Sequence, residues 1–366
     1  MTMRTRAACC WAPLFLLSCV GTVSAQSKLQ LAVQSSAGGA AESSTVFDDS
    51  LTFASPNDLP IVDVPLGDRV EMERFNLAAS KREIASELAT VSVTRDGVVT
   101  EFGPPSVDAV RTVTEMLGDL ANVESGAMGD MEELDRPETV LPPDTRVRVN
   151  STTSFPFRAA GRIDIGCTGT LVGPRHVLTA GHCVYNINTD QWYSRLDFTP
   201  AQNGNGSPPY GTITWRTAVA VKGWTRDHDR NYDYAMIVLD RDIGNTVGTM
   251  GFAHDPSLPN YNVNINGYPG DKPLGQMWHS YGAIRLVQPF RIYHDCDTYG
   301  GNSGSGVYVY VNSTGVRQIL GIHAYGVDGT GFNGTTRINY NVFNKIREWI
   351  ASNIGGRVTT LGERRP

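Results

Sequence analysis

An all-β body is the fold class this sequence predicts, and two observations carry the prediction. Beyond about residue 145 the chain runs in short stretches of β-branched and aromatic residues, the composition that suits a pleated, half-buried surface. Gly, Asn, Asp and Pro separate those stretches, and turn signals between many short strands mark a β-sandwich or barrel.

Residues 1–25 read as a secretory signal. Arg4 and Arg6 lead into the apolar run Ala7–Val20, and Val23-Ser24-Ala25 supplies a small-x-small cleavage site before Gln26. The run is short for a bilayer, and no later segment has the length and apolarity of a membrane span. The expected location is therefore secreted and extracellular. Leu16-Leu17-Ser18-Cys19 loosely matches a lipoprotein box, which would instead leave a lipid tether at Cys19.

Residues 26–140 form an acidic leader, expected to be a propeptide whose end falls between 125 and 145. They hold 21 Asp and Glu against 8 Lys and Arg, whereas residues 141–366 hold 16 against 21. Its first part, 26–46, is rich in Ser, Ala, Gly and Gln and reads as a flexible segment. Phe75–Leu88 and Val107–Leu120 are amphipathic and predict helices. Pro137, Pro142 and Pro143 punctuate the boundary, and Glu132, Glu133, Asp135, Arg136 and Glu138 crowd the stretch where a cut would fall.

In the body, 141–366, strands are expected at Gly169–Gly173, Val177–Thr179, Tyr234–Leu239, Val263–Gly267, Gly306–Val311 and Gln318–His323. One helix is expected near the end. There Val342, Ile346, Trp349 and Ile350 share a face, Asn341 can cap the start and Gly355 can close it. An overall net charge of −6 argues against a nucleic-acid partner, which a basic stripe would mark.

Three cysteines lie in the signal, leaving Cys167, Cys183 and Cys296 in an exported chain where disulfides persist. Cys167 and Cys183 bracket an apolar strand, and a disulfide closing such a loop contributes about 3 kcal/mol in the chain-entropy account. It would pin the loop of His182 to the neighbouring strand. Cys296 is left over, as a buried thiol or a link to another chain.

The stretch Asp297-Thr-Tyr-Gly-Gly-Asn-Ser-Gly-Ser-Gly306 holds a serine among glycines. Glycine permits the tight backbone that exposes a hydroxyl with N–H groups beside it, as acyl transfer requires. Ser303 is the candidate nucleophile and His182 the candidate base. Asp227, Asp229, Asp233, Asp240, Asp242, Asp255 and Asp271 all lie between them in the chain. Asp227-His228-Asp229 is better read as a solvated loop than as a metal cluster, so neither a metal nor a cofactor is expected.

Leu178-Thr-Ala-Gly-His-Cys183 and Gly300-Gly-Asn-Ser-Gly-Ser305 resemble the chymotrypsin-fold serine peptidases. The order His, Asp, Ser is theirs, and an α/β-hydrolase would run Ser, Asp, His. The resemblance implies two six-stranded antiparallel β-barrels followed by a C-terminal helix, with the site in the cleft between barrels. It also implies Asp233 as the acid, because Asp233 directly precedes the strand Tyr234–Leu239. The N–H groups of Gly301 and Ser303 would form the oxyanion hole. Protein or peptide substrates, the chain's own propeptide as partner, and a monomeric state are the expectations that follow.

A closer resemblance is to the bacterial glutamyl endopeptidases. It is carried by Cys167-Thr-Gly-Thr-Leu171, Gly181-His-Cys-Val-Tyr-Asn186, Asp242-Ile-Gly-Asn-Thr-Val-Gly248, Gly267-Tyr-Pro-Gly-Asp-Lys272, Asp297–Ser305 and Gly321-Ile-His323. It implies that Thr298, His323 and the α-amino group of the processed chain bind a glutamate side chain on the acyl side of the cleaved bond. Asn302 offers no carboxylate to a freed N-terminus, which removes the trypsin-type activation pair. Asp297 points the other way. It stands six residues before Ser303, where trypsins place the aspartate that binds Arg or Lys. A catalytically silent binding module of the same fold is the remaining alternative. Asn150, Asn312 and Asn333 begin sequons that could carry glycans.

Overall fold

The structure is a computed structural model that describes residues 86–102, 138–255, 258, 261–311, 315–352 and 354. The expected signal and the predicted helix at 107–120 lie outside the described residues, as does all of 75–88 before residue 86. The strands are β1 (Thr90–Thr94), β2 (Val99–Glu101), β3 (Val147–Arg148), β4 (Ala160–Ile163), β5 (Thr168–Gly173) and β6 (His176–Thr179). They continue as β7 (Tyr185–Asn186), β8 (Gln191–Trp192), β9 (Phe198–Pro200), β10 (Trp215–Val221), β11 (Ala235–Leu239) and β12 (Gly251–Phe252). The last six are β13 (Asn262–Gly267), β14 (Trp278–Val287), β15 (Arg291–His294), β16 (Gly306–Val311), β17 (Val316–Tyr325) and β18 (Asn333–Arg337). Each predicted strand is present, its ends displaced by two residues at most.

The first barrel runs β10-β11-β6-β5-β4-β9. Phe198 and Ile213 close it by exchanging backbone hydrogen bonds of 2.9 and 2.7 Å just ahead of β10. β11 is buried along its whole length, so it reads as a continuous apolar run rather than an alternation. The second barrel runs β17-β16-β13-β14-β15-β18 and closes through the β17–β18 pairing. Full closure removes the exposed strand edges that an open sheet would leave.

Two strands of the acidic leader are built into the first sheet. β1 pairs antiparallel with β10, Thr90 opposite Val221 through Thr94 opposite Thr217, and β2 pairs with β1. The C-terminal helix α1 (Tyr340–Ala351) buries Val342, Ile346 and Trp349. Trp349 lies 5.6 Å from the Tyr234 ring and donates its indole N–H to Thr90 Oγ1 at 3.0 Å. The cap differs from expectation. Asn339 accepts from the backbone N–H groups of Asn341 and Val342, so Asn341 belongs to the first turn. Gly355 is outside the described residues.

The barrels meet across β5. Thr168 donates its N–H to the Ser303 carbonyl and its hydroxyl to the Gly301 carbonyl, both at 2.8 Å. From the other side Gly304 donates to the His323 carbonyl at 2.8 Å. One strand from each barrel therefore clamps the serine loop.

Candidate active site

His182 sits in a single helical turn directly after β6. The Cys167–Cys183 disulfide is formed, with an S–S distance of 2.05 Å. It ties that turn to the residue before β5. Asp233, which lies just ahead of β11, is fully buried. Its Oδ1 accepts from the His182 backbone N–H at 2.9 Å and its Oδ2 meets His182 Nδ1 at 2.8 Å. Thr336 of β18 donates to the Asp233 carbonyl at 2.9 Å, so the second barrel steadies the acid of the first.

The electrostatics follow from this arrangement. Burial opposes charge on His182, but the Asp233 carboxylate and its hydrogen bond outweigh it and raise the imidazole pKa. Burial also works against ionised Asp233, and the His182 charge and hydrogen bonds overcome it and lower that pKa. With the carboxylate as acceptor, Nδ1 carries the hydrogen and Nε2 keeps its lone pair, the tautomer a general base needs.

Ser303 lies in the loop between β15 and β16. Gly301 has φ of 109° and Gly304 φ of 85°, conformations that a side chain would strain. A Cβ on Gly301 would come within 2.5 Å of the Tyr268 carbonyl oxygen. The loop therefore depends on glycine both for its turn and for its close approach to the β13 end.

The side chain engaging Ser303 is Glu138, a residue the sequence placed only in a crowd of boundary acids. Ser303 Oγ donates to Glu138 Oε1, and the Ser303 backbone adds a further hydrogen bond. Glu138 Oε1 also lies 3.8 Å from His323 Nε2. Burial, countered in part by the Ser303 hydrogen bond and His182, raises the Glu138 pKa to about 7. One carboxyl group thus bridges the candidate nucleophile and the candidate specificity histidine.

His323 and Thr298 are both fully buried. Among the described residues, Thr298 Oγ1 and both ring nitrogens of His323 have no hydrogen-bond partner. Unpaired buried polar atoms are costly, and of these His323 Nε2 is the one that the Glu138 carboxyl approaches. Burial first, then His294 and His182, push the His323 pKa well down, so it is neutral. His294, whose ring centroid is 5.4 Å from that of His323, is pushed down to about 3 by burial. It accepts from the Cys296 N–H and meets Thr335 Oγ1 at 2.9 Å. Sequence reasoning missed His294 because nothing in its spacing sets it apart from a core histidine.

Asp297 is turned onto the 141–145 segment. Its Oδ1 accepts from Leu141 N–H at 2.7 Å, and its Oδ2 from Thr145 N–H at 2.8 Å and Thr145 Oγ1 at 2.6 Å. A carboxylate satisfied by three donors of the 141–145 segment is a structural anchor. Arg146 extends the anchorage through Asp144 and Asp271. Asn333 exchanges hydrogen bonds with the Thr139 backbone, at 3.1 and 2.7 Å, and donates to Cys296 O at 2.9 Å. That buried amide is in use, which removes Asn333 from the sequons open to a glycan. Cys296 is a buried thiol, set on the Val263 carbonyl.

Around the 227–229 loop His228 pairs with Asp190 at 2.8 Å and Asp229 caps a helical turn, structural uses in keeping with the solvated-loop reading. Among the described residues the one cluster of metal-type donors is Cys167, His182 and Cys183. Its two sulfurs are bonded to each other, so that donor set does not fit a metal.

A family description, Trypsin, matches residues 146–350. The extracellular metalloprotease of Bacillus subtilis (strain 168) is 40% identical over 225 residues, 58% of this chain and 70% of that protein. A glutamyl endopeptidase of Bacillus licheniformis is 38% identical over 221 residues, covering 58% and 69%. A solved structure, Glu endopeptidase in complex with MPD, aligns with a TM-score of 0.54 at 29% identity, over 58% of this chain and 100% of that one. With the two barrels, the His182–Asp233 pair and the glycine-rich Ser303 loop already in place, these matches lead to one statement: this chain belongs to the trypsin family of chymotrypsin-fold serine endopeptidases.

Proposed function

We propose that the protein is a secreted endopeptidase, made as a zymogen, that cuts peptide bonds on the carboxyl side of glutamate. Ser303 Oγ attacks the peptide carbonyl while His182 Nε2 takes its proton. Asp233 holds the imidazole and stabilises the imidazolium. The N–H groups of Gly301 and Ser303 receive the developing oxyanion, whose loss of one donor costs about 10²–10³ in turnover in comparable sites. His182 then protonates the leaving amine, and a water that gives its proton to the same base attacks the acyl ester and frees the acid, the proton passing to Ser303 Oγ.

The observation that carries the glutamate preference is the placement of one acidic side chain. The Glu138 carboxyl reaches both Ser303 and His323, and the residue after it, Thr139, accepts from the Thr298 backbone N–H. The rival preference for Arg or Lys needs a free Asp297, and that carboxylate is held by Leu141 and Thr145. His323 and His294 are neutral, so they offer hydrogen bonds and no charge. The α-amino group of a processed chain would supply the missing positive charge. The His182–Asp233 contact also speaks against a silent binding module.

A panel of peptides with Glu, Arg, Phe or Ala before the scissile bond tests the reading. Cleavage confined to the Glu peptide, abolished by Ser303→Ala, is the expected outcome. Cleavage after Arg alone would reject the preference, and activity surviving Ser303→Ala would reject the mechanism.

A further inference from the structure

We propose that the Glu138–Thr139 peptide bond is this chain's own processing site, cut by a second copy of the enzyme, and that the uncut Glu138 side chain plugs the site by engaging Ser303. The proposal rests on the glutamate-directed reading above.

Three observations support it. Glu138 is buried to 5% exposure, unusual for a glutamate. Its carboxyl holds the Ser303 hydroxyl hydrogen that His182 would otherwise receive, and it also reaches His323. The side chain therefore engages the nucleophile and stands beside His323 at once. The residues that follow are built into the body. Thr298 N–H and the Asn333 amide both donate to the Thr139 carbonyl, and Leu141 and Thr145 are held by Asp297. A chain beginning at Thr139 keeps all of these contacts. One beginning several residues later would lose those of Thr139 and Leu141, and one beginning earlier would keep the plug.

The contact with Ser303 is made by the side-chain carboxyl, which identifies the plug as a blocking arrangement for this chain's own serine. A second copy must receive the segment with Glu138 seated in its pocket and the peptide carbonyl at its nucleophile. Its Ser303 Oγ adds to the Glu138 carbonyl carbon, the C–N bond to Thr139 breaks, and its His182 delivers the proton to the departing nitrogen. Water then cleaves the acyl ester. One water is consumed, leaving a carboxylate on Glu138 and a free α-amine on Thr139, beside Asn333.

The test uses the full chain carrying Ser303→Ala, which cannot cut itself, incubated with a small amount of active enzyme. The new N-terminus is read by mass spectrometry. A body beginning at Thr139, absent when Glu138→Gln is added, is the expected result. A body beginning elsewhere, or equal cutting of the Gln form, overturns the processing site. The plug is read by fluorophosphonate labelling of the uncut band. Glu138→Ala should label faster than the unaltered chain, and equal rates overturn the plug. A Glu138→Lys chain, opened by trypsin that is then inhibited, separates the two readings. If that enzyme cleaves Glu peptides while the first test fails, the processing site alone falls. If it does not, the glutamate preference falls.

Discussion

Asp297 and Thr298 are neighbours that the sequence set against each other, and the structure ties down the first. Asp297 holds the 141–145 segment, so Asp297→Asn should destabilise the protein by about 2 kcal/mol, as expected for hydrogen bonds to a charged group, and leave the Glu over Arg preference unchanged. Denaturant melts and the peptide panel check the two halves. Thr298→Val keeps the shape but removes a donor, and should lower kcat/KM for Glu peptides about 10-fold or more while sparing the residual rate on neutral ones. Sequence alone left this choice open because both residues flank the same loop, and side-chain direction depends on contacts from a segment more than 150 residues away in the chain. The His182–Asp233 contact was legible because the resembled motifs put Asp233 just ahead of an apolar strand and His182 beside a cysteine. Two titrations follow from burial and neighbours. Asp233 raises the His182 pKa against burial, so activity should rise with pH through a value above 6.5, and Asp233→Asn should move that limb down while cutting kcat about 10⁴-fold. Glu138 is raised by burial to about 7 from 4.5. Faced by Ser303, His182, Asp233 and His323, its docking is strongest below pH 4.5, weakens as the pH climbs to about 7, and is flat above. Labelling of Ser303 in the uncut chain, divided by that of Glu138→Gln, should therefore increase across that window.

At the scale of elements, the strands of the body were legible because a barrel strand buried on both faces is a compact apolar run, as in Ala235–Leu239. β1 was not. Thr90-Val-Ser-Val-Thr94 is short, lies in an acidic region poor in aromatics, and becomes buried only because β10 and α1 receive it. The helix cap was placed two residues late because two asparagines compete for the role, and only Asn339 has an extended backbone that turns its side chain onto the first turn. The leader strand should behave as a docked strand whose loss is felt by its host. Thr90→Val leaves the buried Trp349 N–H without its acceptor, a loss of about 1–3 kcal/mol, and Val93→Asp buries a charge in the same interface. Either change should lower hydrogen-exchange protection of the β10 amides that face β1, and leave the second barrel's protection as it was.

For the whole molecule, two closed barrels hold each other through the serine loop, with Thr168 from one side and the His323 carbonyl from the other. Within the first barrel the Cys167–Cys183 disulfide pins the His182 turn, and replacing both cysteines by alanine should cost about 3 kcal/mol, read by denaturant unfolding under oxidising conditions. The barrel pair was legible once the motifs of Leu178–Cys183 and Gly300–Ser305 were recognised. The site's present occupant was not, because it comes from a residue outside both motifs. The central claim is that the site reads a carboxylate. Its most direct test is the ratio of kcat/KM for two peptides differing only by Glu or Gln before the scissile bond, measured on the processed enzyme. A ratio of about 10² or more in favour of Glu is predicted, since polar groups built for one ligand are left unpaired by its analogue. Equal rates on the two peptides, or faster cleavage of an Arg peptide than of either, would contradict it.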